Sequence, residues 1–157
     1  MMGSGGVGGY FGARLQQAGN QVSFIARGRH LEALRSNGLT LKSALGEAQL
    51  KVRAFQDPRE AGPADIVMFA VKLWDTESAA EQLRPVLGTG GLVIPFQNGV
   101  ESIERIGRVL GAQRVMGGSA FIATRISAPG VIEHTGTMAR LRFGPVLEEQ
   151  RAAAQAF

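Results

Sequence analysis

At 157 residues, with 45% hydrophobic and 19% charged residues, the sequence carries enough apolar matter for one folded domain, which excludes a disordered or low-complexity chain. No cysteine and two separated histidines, His30 and His134, exclude a disulfide framework, a thiol nucleophile and a Cys/His metal cluster. The net charge of +4 comes from 17 scattered basic residues, of which only Lys42, Lys51 and Lys72 are lysines, so it reads as solvated helix faces rather than a nucleic-acid surface. The start of the sequence lacks the pattern of a secretory signal, and its longest apolar run, Ile66 to Val71, is far short of the ~20 residues of a membrane span. A cytoplasmic protein is the expectation. Glycine is the outlier, at 22 residues, about twice the usual share, and its pairs and motifs mark tight turns and close backbone approaches.

Taken in order, Val7 to Ala18 reads as a helix stopped by Gly19, and Gln21 to Ala26 as a short strand. His30 to Asn37 reads as a second helix ended by Gly38. Leu39 to Ser43 and Ala48 to Ala54 read as paired strands around Gly46. Asp65 to Val71 is nearly continuous in apolar residues, as parallel strands covered on both faces are. A helix over Thr76 to Leu87, a strand over Gly91 to Pro95 and a helix over Glu101 to Leu110 follow. The texture then changes to three short, antiparallel strands: Val115 to Thr124, Val131 to Thr135 and Ala139 to Phe143. Pro145 stands where a further helix could begin. The alternation predicts a Rossmann-type, doubly wound parallel sheet with short antiparallel strands at its C-terminal end.

The turn Gly3-Ser4-Gly5-Gly6-Val7-Gly8 has the spacing of a dinucleotide loop. In such a loop the first glycine permits the tight turn and the second lets backbone approach the pyrophosphate. The third lets the helix pack close to its strand. A glycine-rich turn can be no more than a turn, but here a helix follows at once and a strand follows the helix. Only Met1 and Met2 precede the motif, so the sheet is expected to lack its first, central strand. Beyond the second strand, where NAD-binding folds place a carboxylate, stands Arg27. A guanidinium there can grip a 2′-phosphate, which points to NADP, the plainer alternative being a solvent-facing arginine.

Four stretches, GSGGVGGYFGARL, FIARGRHLEAL, FAVKLWDTESA and IPFQNGVES, together resemble the N-terminal domain of ketopantoate reductase, and GGSAFIATRISAPGVIEHTG resembles that family's next strands. The resemblance implies reduction of 2-dehydropantoate to D-pantoate with NADPH, on the way to pantothenate and coenzyme A. It also implies a helical second domain facing a cleft. It gives the turn from Gly3 to Gly8 to the pyrophosphate, Arg27 to the 2′-phosphate, Lys72 to the adenosine end, and Asn98 to the nicotinamide and substrate. Unaided, Lys72 reads as a solvated lysine, and Asn98, followed by Gly99, as a turn residue as readily as a ligand.

On that resemblance residues 1–144 form the NADP-binding domain, and 145–157 start a helix leading to a C-terminal domain outside this sequence. The sequence is expected to be cut at both ends. The family's catalytic lysine belongs to that second domain, and no lysine follows Lys72. The expected partner is a small 2-keto acid, without nucleic acid or membrane. Ser119 and His134 attract notice as catalytic groups, but nothing nearby in sequence completes a nucleophile–base pair, and His134 reads as a strand residue with an ordinary hydrogen bond. Two other functions stay open: a non-catalytic NADP-binding module, and a related dehydrogenase acting on another keto or hydroxy acid.

Overall fold

The helix behind the glycine turn, α1 (Gly6–Gln17), is packed unusually close to the strands beneath it in the computed structural model, which describes residues 1–156. A Cβ at Gly12 would meet Cε1 of Phe24 at 2.6 Å, and one at Gly9 would meet Cγ1 of Ile132 at 2.7 Å. These two glycines are what let the helix axis approach the sheet. Gly19, at φ +94°, then turns the chain into β1 (Ser23–Ile25).

Helix α2 (Gly28–Asn37) and strands β2 (Leu39–Ser43), β3 (Ala48–Leu50) and β4 (Arg53–Phe55) follow. Next come β5 (Ala64–Phe69), α3 (Thr76–Leu83), β6 (Leu87–Pro95) and α4 (Ser102–Leu110). Strand β1 pairs in parallel with β4, and β5 with β6. Between the two pairs stands Met2, making parallel bridges to Ile25 on one side and Phe69 on the other. Its N–H donates to Met68 O at 2.9 Å and its carbonyl accepts from Ala70 N at 2.8 Å, while Met1 O accepts from Ile25 N at 2.9 Å. The row β4–β1–Met2–β5–β6, extended by a parallel bridge from Val93 to Val115, has the strand order of a doubly wound dinucleotide fold. Met2, which is buried, stands at the central position of that row. Behind that residue β1 and β5 part around a cavity of about 500 Å³, lined by Met1, Ser23, Pro63, Ile66 and Met68 among others.

Helices cover both faces of the row. Phe24, Leu34, Leu41, Ile94 and Ile132 form the core on the side of α1 and α2; Phe69, Leu83, Val93 and Ile106 form the one beneath α3 and α4. The Arg105 guanidinium joins those last two helices by grasping the Glu77 carboxylate with two 2.6 Å contacts, which holds that carboxyl down to about 2.

The C-terminal part differs from the three short strands read in the sequence. It is one long hairpin of β7 (Gly117–Ala128) and β8 (Val131–Gly144), and β8 also pairs in parallel with β2, giving a second sheet in the order β3–β2–β8–β7. Gly136, at φ +86°, lies inside β8 where the ladder shifts register between Ile122 and Thr124, so it marks a bulge rather than an end. The expected strand over Ala48 to Ala54 is likewise two, β3 in the second sheet and β4 in the first. Helix α3 stops at Leu83, four residues early, because Leu87 already belongs to β6. Beyond Pro145 the chain makes a 3₁₀ turn (Glu148–Gln150) before α5 (Arg151–Ala156). Buried Gln150 fixes that turn: its amide donates to Val115 O and Gln113 O and accepts from the N–H groups of Val146 and Leu147. The helix read as running to Phe157 has its last residue outside the described ones.

Candidate cofactor site

The glycine turn is fixed by contacts that only glycine permits. Gly3 sits at φ +92°, and a Cβ there would stand 2.7 Å from Val71 N. At Gly8 a Cβ would stand 2.1 Å from Gly3 O, and at Gly6, 2.7 Å from Thr124 O. The Cβ position of Gly5 faces open space, with nothing within 4 Å. Gly5 is the N-cap of α1, has no side-chain cap, and no acidic residue follows in the first turn. The opening amides of the helix therefore face outward with the positive end of its dipole, an arrangement that suits an anion. Ser4 is buried and is tied to β1 twice, through its N–H and its hydroxyl, both to Ile25 O at 3.0 Å. Val7 packs its side chain against the core. The turn fits a dinucleotide pyrophosphate: it is closed where backbone must pass and open at Gly5.

Because Met2, β1, β5 and β6 all run parallel, the residues that follow them emerge on one edge. Those residues are the glycine turn, Arg27, Lys72 and Asn98, so the structure gathers the expected positions on that edge of the sheet. Arg27 is extended and exposed at the N-cap of α2, with its guanidinium 3.6 Å from Asp75 Oδ2. It borders an open depression of about 570 Å³ shared with Gln56, Arg59 and Gln82. Lys72 is exposed and precedes a 3₁₀ turn (Leu73–Asp75). Asn98 is exposed beside Gly99 at φ +93°, so it is a turn residue and a strand-end residue at once.

Sequence reasoning passed over Gln97, whose amide donates to Val71 O at 2.9 Å and to Thr76 Oγ1 at 3.0 Å, tying the end of β6 to the end of β5. It also passed over Asp75 and His30, both of which touch the expected residues from elsewhere in the chain.

Against known proteins, a family model described as ketopantoate reductase PanE/ApbA matches residues 1–148. The chain belongs to that family. A 2-dehydropantoate 2-reductase of Mesorhizobium japonicum is 34% identical over 155 residues, covering 85% of this chain and 48% of that protein. The crystal structure of a PanE/ApbA family ketopantoate reductase from Ralstonia eutropha superposes with a TM-score of 0.88 at 37% identity, over 99% of this chain and 51% of the other. D-Mandelate dehydrogenase, solved with NADH and anilino(oxo)acetate, has a TM-score of 0.89 over 99% of this chain and 50% of its own. At 19% identity that likeness is one of fold. The chain spans about half the length of the relatives it matches.

Ser119 and His134 are not brought together in this ketopantoate reductase family member. Ser119 lies on β7 opposite Arg142. His134, on β8, is buried with its ring 4.9 Å from that of Tyr10. Its Nε2 faces Met138 O at 3.1 Å, an acceptor only, so the ring proton sits there and Nδ1 accepts from the Ser43 hydroxyl at 2.9 Å. His134 is thus the hydrogen-bonded strand residue expected, with a serine partner on β2 that the sequence did not reveal. Among the described residues no group of three His, Cys, Asp or Glu could hold a metal, and no helix is long and apolar enough to cross a membrane.

Proposed function

We propose that this chain is the NADPH-binding half of a cytoplasmic 2-dehydropantoate 2-reductase, which reduces a 2-keto acid to the 2-hydroxy acid. Residues 1–144 form the cofactor domain in this reading, and 145–157 lead toward a helical substrate domain. The observation that carries it is the glycine turn, backed by Arg27, Lys72 and Asn98 on the same edge of a parallel sheet. When bound, NADPH supplies the hydride. The chain's own residues bind and aim it: the amides from Gly5 to Gly8 receive the pyrophosphate, Arg27 grips the 2′-phosphate, and Lys72 adds charge at the adenosine end. Asn98 orients the nicotinamide and the keto oxygen through its amide. The alkoxide formed by reduction needs a proton. Lys42 lies on β2 and Lys51 just after β3, so neither follows a strand of the first sheet, and the donor is assigned to the second domain.

Titration of the chain with NADPH and with NADH tests the cofactor reading. NADPH should bind more tightly, and Arg27→Asp should cost it about 2 kcal/mol, the worth of a paired charged contact, with little effect on NADH. Equal affinities before and after substitution would overturn the assignment to NADP. Turnover by a complete enzyme with 2-dehydropantoate, set against other 2-keto acids, tests the substrate.

A further inference from the structure

His30 lies in the first turn of α2, half-buried between the glycine turn and the tip of the β7–β8 hairpin. Its Nδ1 receives the Gly130 N–H at 3.1 Å. A main-chain N–H can only donate, so Nδ1 carries the lone pair and the ring proton is on Nε2. Nε2 in turn donates to Ser4 O at 2.9 Å. The hairpin tip is itself lodged against α2: Gly130 is at φ +77°, and a Cβ on it would stand 3.1 Å from Ala33 Cβ.

The Ser4 carbonyl is the one that precedes the open glycine. Peptide units are planar, and all of those described here are trans, so C=O and N–H of one unit point to opposite sides. Holding Ser4 O toward α2 turns the Gly5 N–H away from α2, and no backbone acceptor meets it among the described residues. Ser4 N–H and Oγ are already anchored on Ile25 O. With His30 added, every polar atom of Ser4 is tied down, and the amide that follows it has one direction left.

We propose that His30 is a positioning residue for the dinucleotide phosphates: a neutral imidazole, protonated on Nε2, that clamps the Ser4 carbonyl, aims the Gly5 amide and couples the turn to the Gly130 hairpin tip. The clamp rests on the reading of the turn as a cofactor site. Burial works in the same direction, lowering the pKa of His30 below its ordinary 6.5 against a smaller opposing effect of the Ser4 carbonyl. Since the pyrophosphate is common to both dinucleotides, the clamp serves NADPH and NADH alike.

The test uses the 157-residue chain, His30→Leu and His30→Gln, with NADPH and NADH affinities taken from nicotinamide fluorescence below the melting temperature of each variant. His30→Leu should weaken both dinucleotides by about tenfold, the loss of one well-aimed hydrogen bond, and leave their ratio unchanged. His30→Gln, whose amide offers a donor and an acceptor, should recover binding to within about threefold. Long-range ¹H–¹⁵N spectra of wild type at neutral pH should show the Nε2–H tautomer, a signature available even if His30→Leu fails to fold. Unchanged binding by His30→Leu would overturn the clamp alone, as would a His30→Gln as weak as His30→Leu or a ring protonated on Nδ1. If wild type binds neither dinucleotide, the cofactor reading falls and takes the clamp with it.

Discussion

Arg27 reaches Asp75 at 3.6 Å across the edge where the adenosine end of a dinucleotide would lie. Arg27 is exposed and Asp75 partly so, and the pair contributes ~0–1 kcal/mol to stability, so its consequence is for binding. A 2′-phosphate would share the guanidinium with a carboxylate of its own sign. Asp75→Asn should therefore tighten NADPH a few-fold, roughly 0.5–1 kcal/mol, and leave NADH unchanged. Isothermal titration with both cofactors checks this, and an equal gain for NADH would mean that the carboxylate acts on something other than the phosphate. The placement of the turn glycines and of Arg27 was legible in the sequence because it is local: spacing within one turn, and position after one strand. Asp75 and His30 were not, since their partners are contributed by other elements; His30 joins atoms 26 and 100 residues away. Neither carries a motif, although a histidine one helical step past a strand end was a visible candidate for reaching the turn.

At the level of elements, the parallel strands were readable from their apolar runs, while the hairpin was misread because a glycine inside a bulge looks like a glycine at a turn. Only pairing distinguishes them: His134 and Ala139, on either side of Gly136, pair with Thr124 and Ile122 of β7. The surroundings of Met1 in the 157-residue chain have a consequence for stability. The Met1 amino group donates to Ser23 O at 2.7 Å at the edge of the cavity, and burial draws its pKa from 8.0 to about 5. The unfolded chain takes up this proton as pH falls through 8, the folded chain only near 5. The contribution is complete above pH 8 and is lost as pH drops toward 5. Five apolar residues placed ahead of Met1 would abolish that titration and fill the cavity, each buried aliphatic side chain adding ~1.5–3 kcal/mol before ordering costs. Melting of the extended chain should rise by about 5 °C or more, with a flatter pH profile between 5 and 8 than the 157-residue chain shows. An unchanged melting temperature would mean that the extension does not enter between β1 and β5.

The whole molecule presents one organised edge, formed by the turn, Arg27, Lys72 and Asn98, and on that edge Trp74 and Val100 stand 77% and 92% exposed. The dinucleotide proposed for that edge would find its binding groups there, and catalysis asks for more. Reduction of a ketone needs water kept from the hydride path and a proton for the alkoxide. Lys72 follows β5 and is exposed, and the proposal gives it to the adenosine end; Asn98, which the proposal gives to the nicotinamide end, could orient but cannot release a proton at neutral pH. Arginine, the commonest cation of this chain, keeps its proton. The 157-residue chain should therefore bind NADPH yet leave 2-dehydropantoate unreduced, with absorbance at the nicotinamide band constant over hours at saturating cofactor. Binding without turnover is the decisive combination. Substrate-dependent oxidation of NADPH would move the proton donor into this chain, and its loss in Lys72→Met, with NADPH affinity retained, would identify the donor.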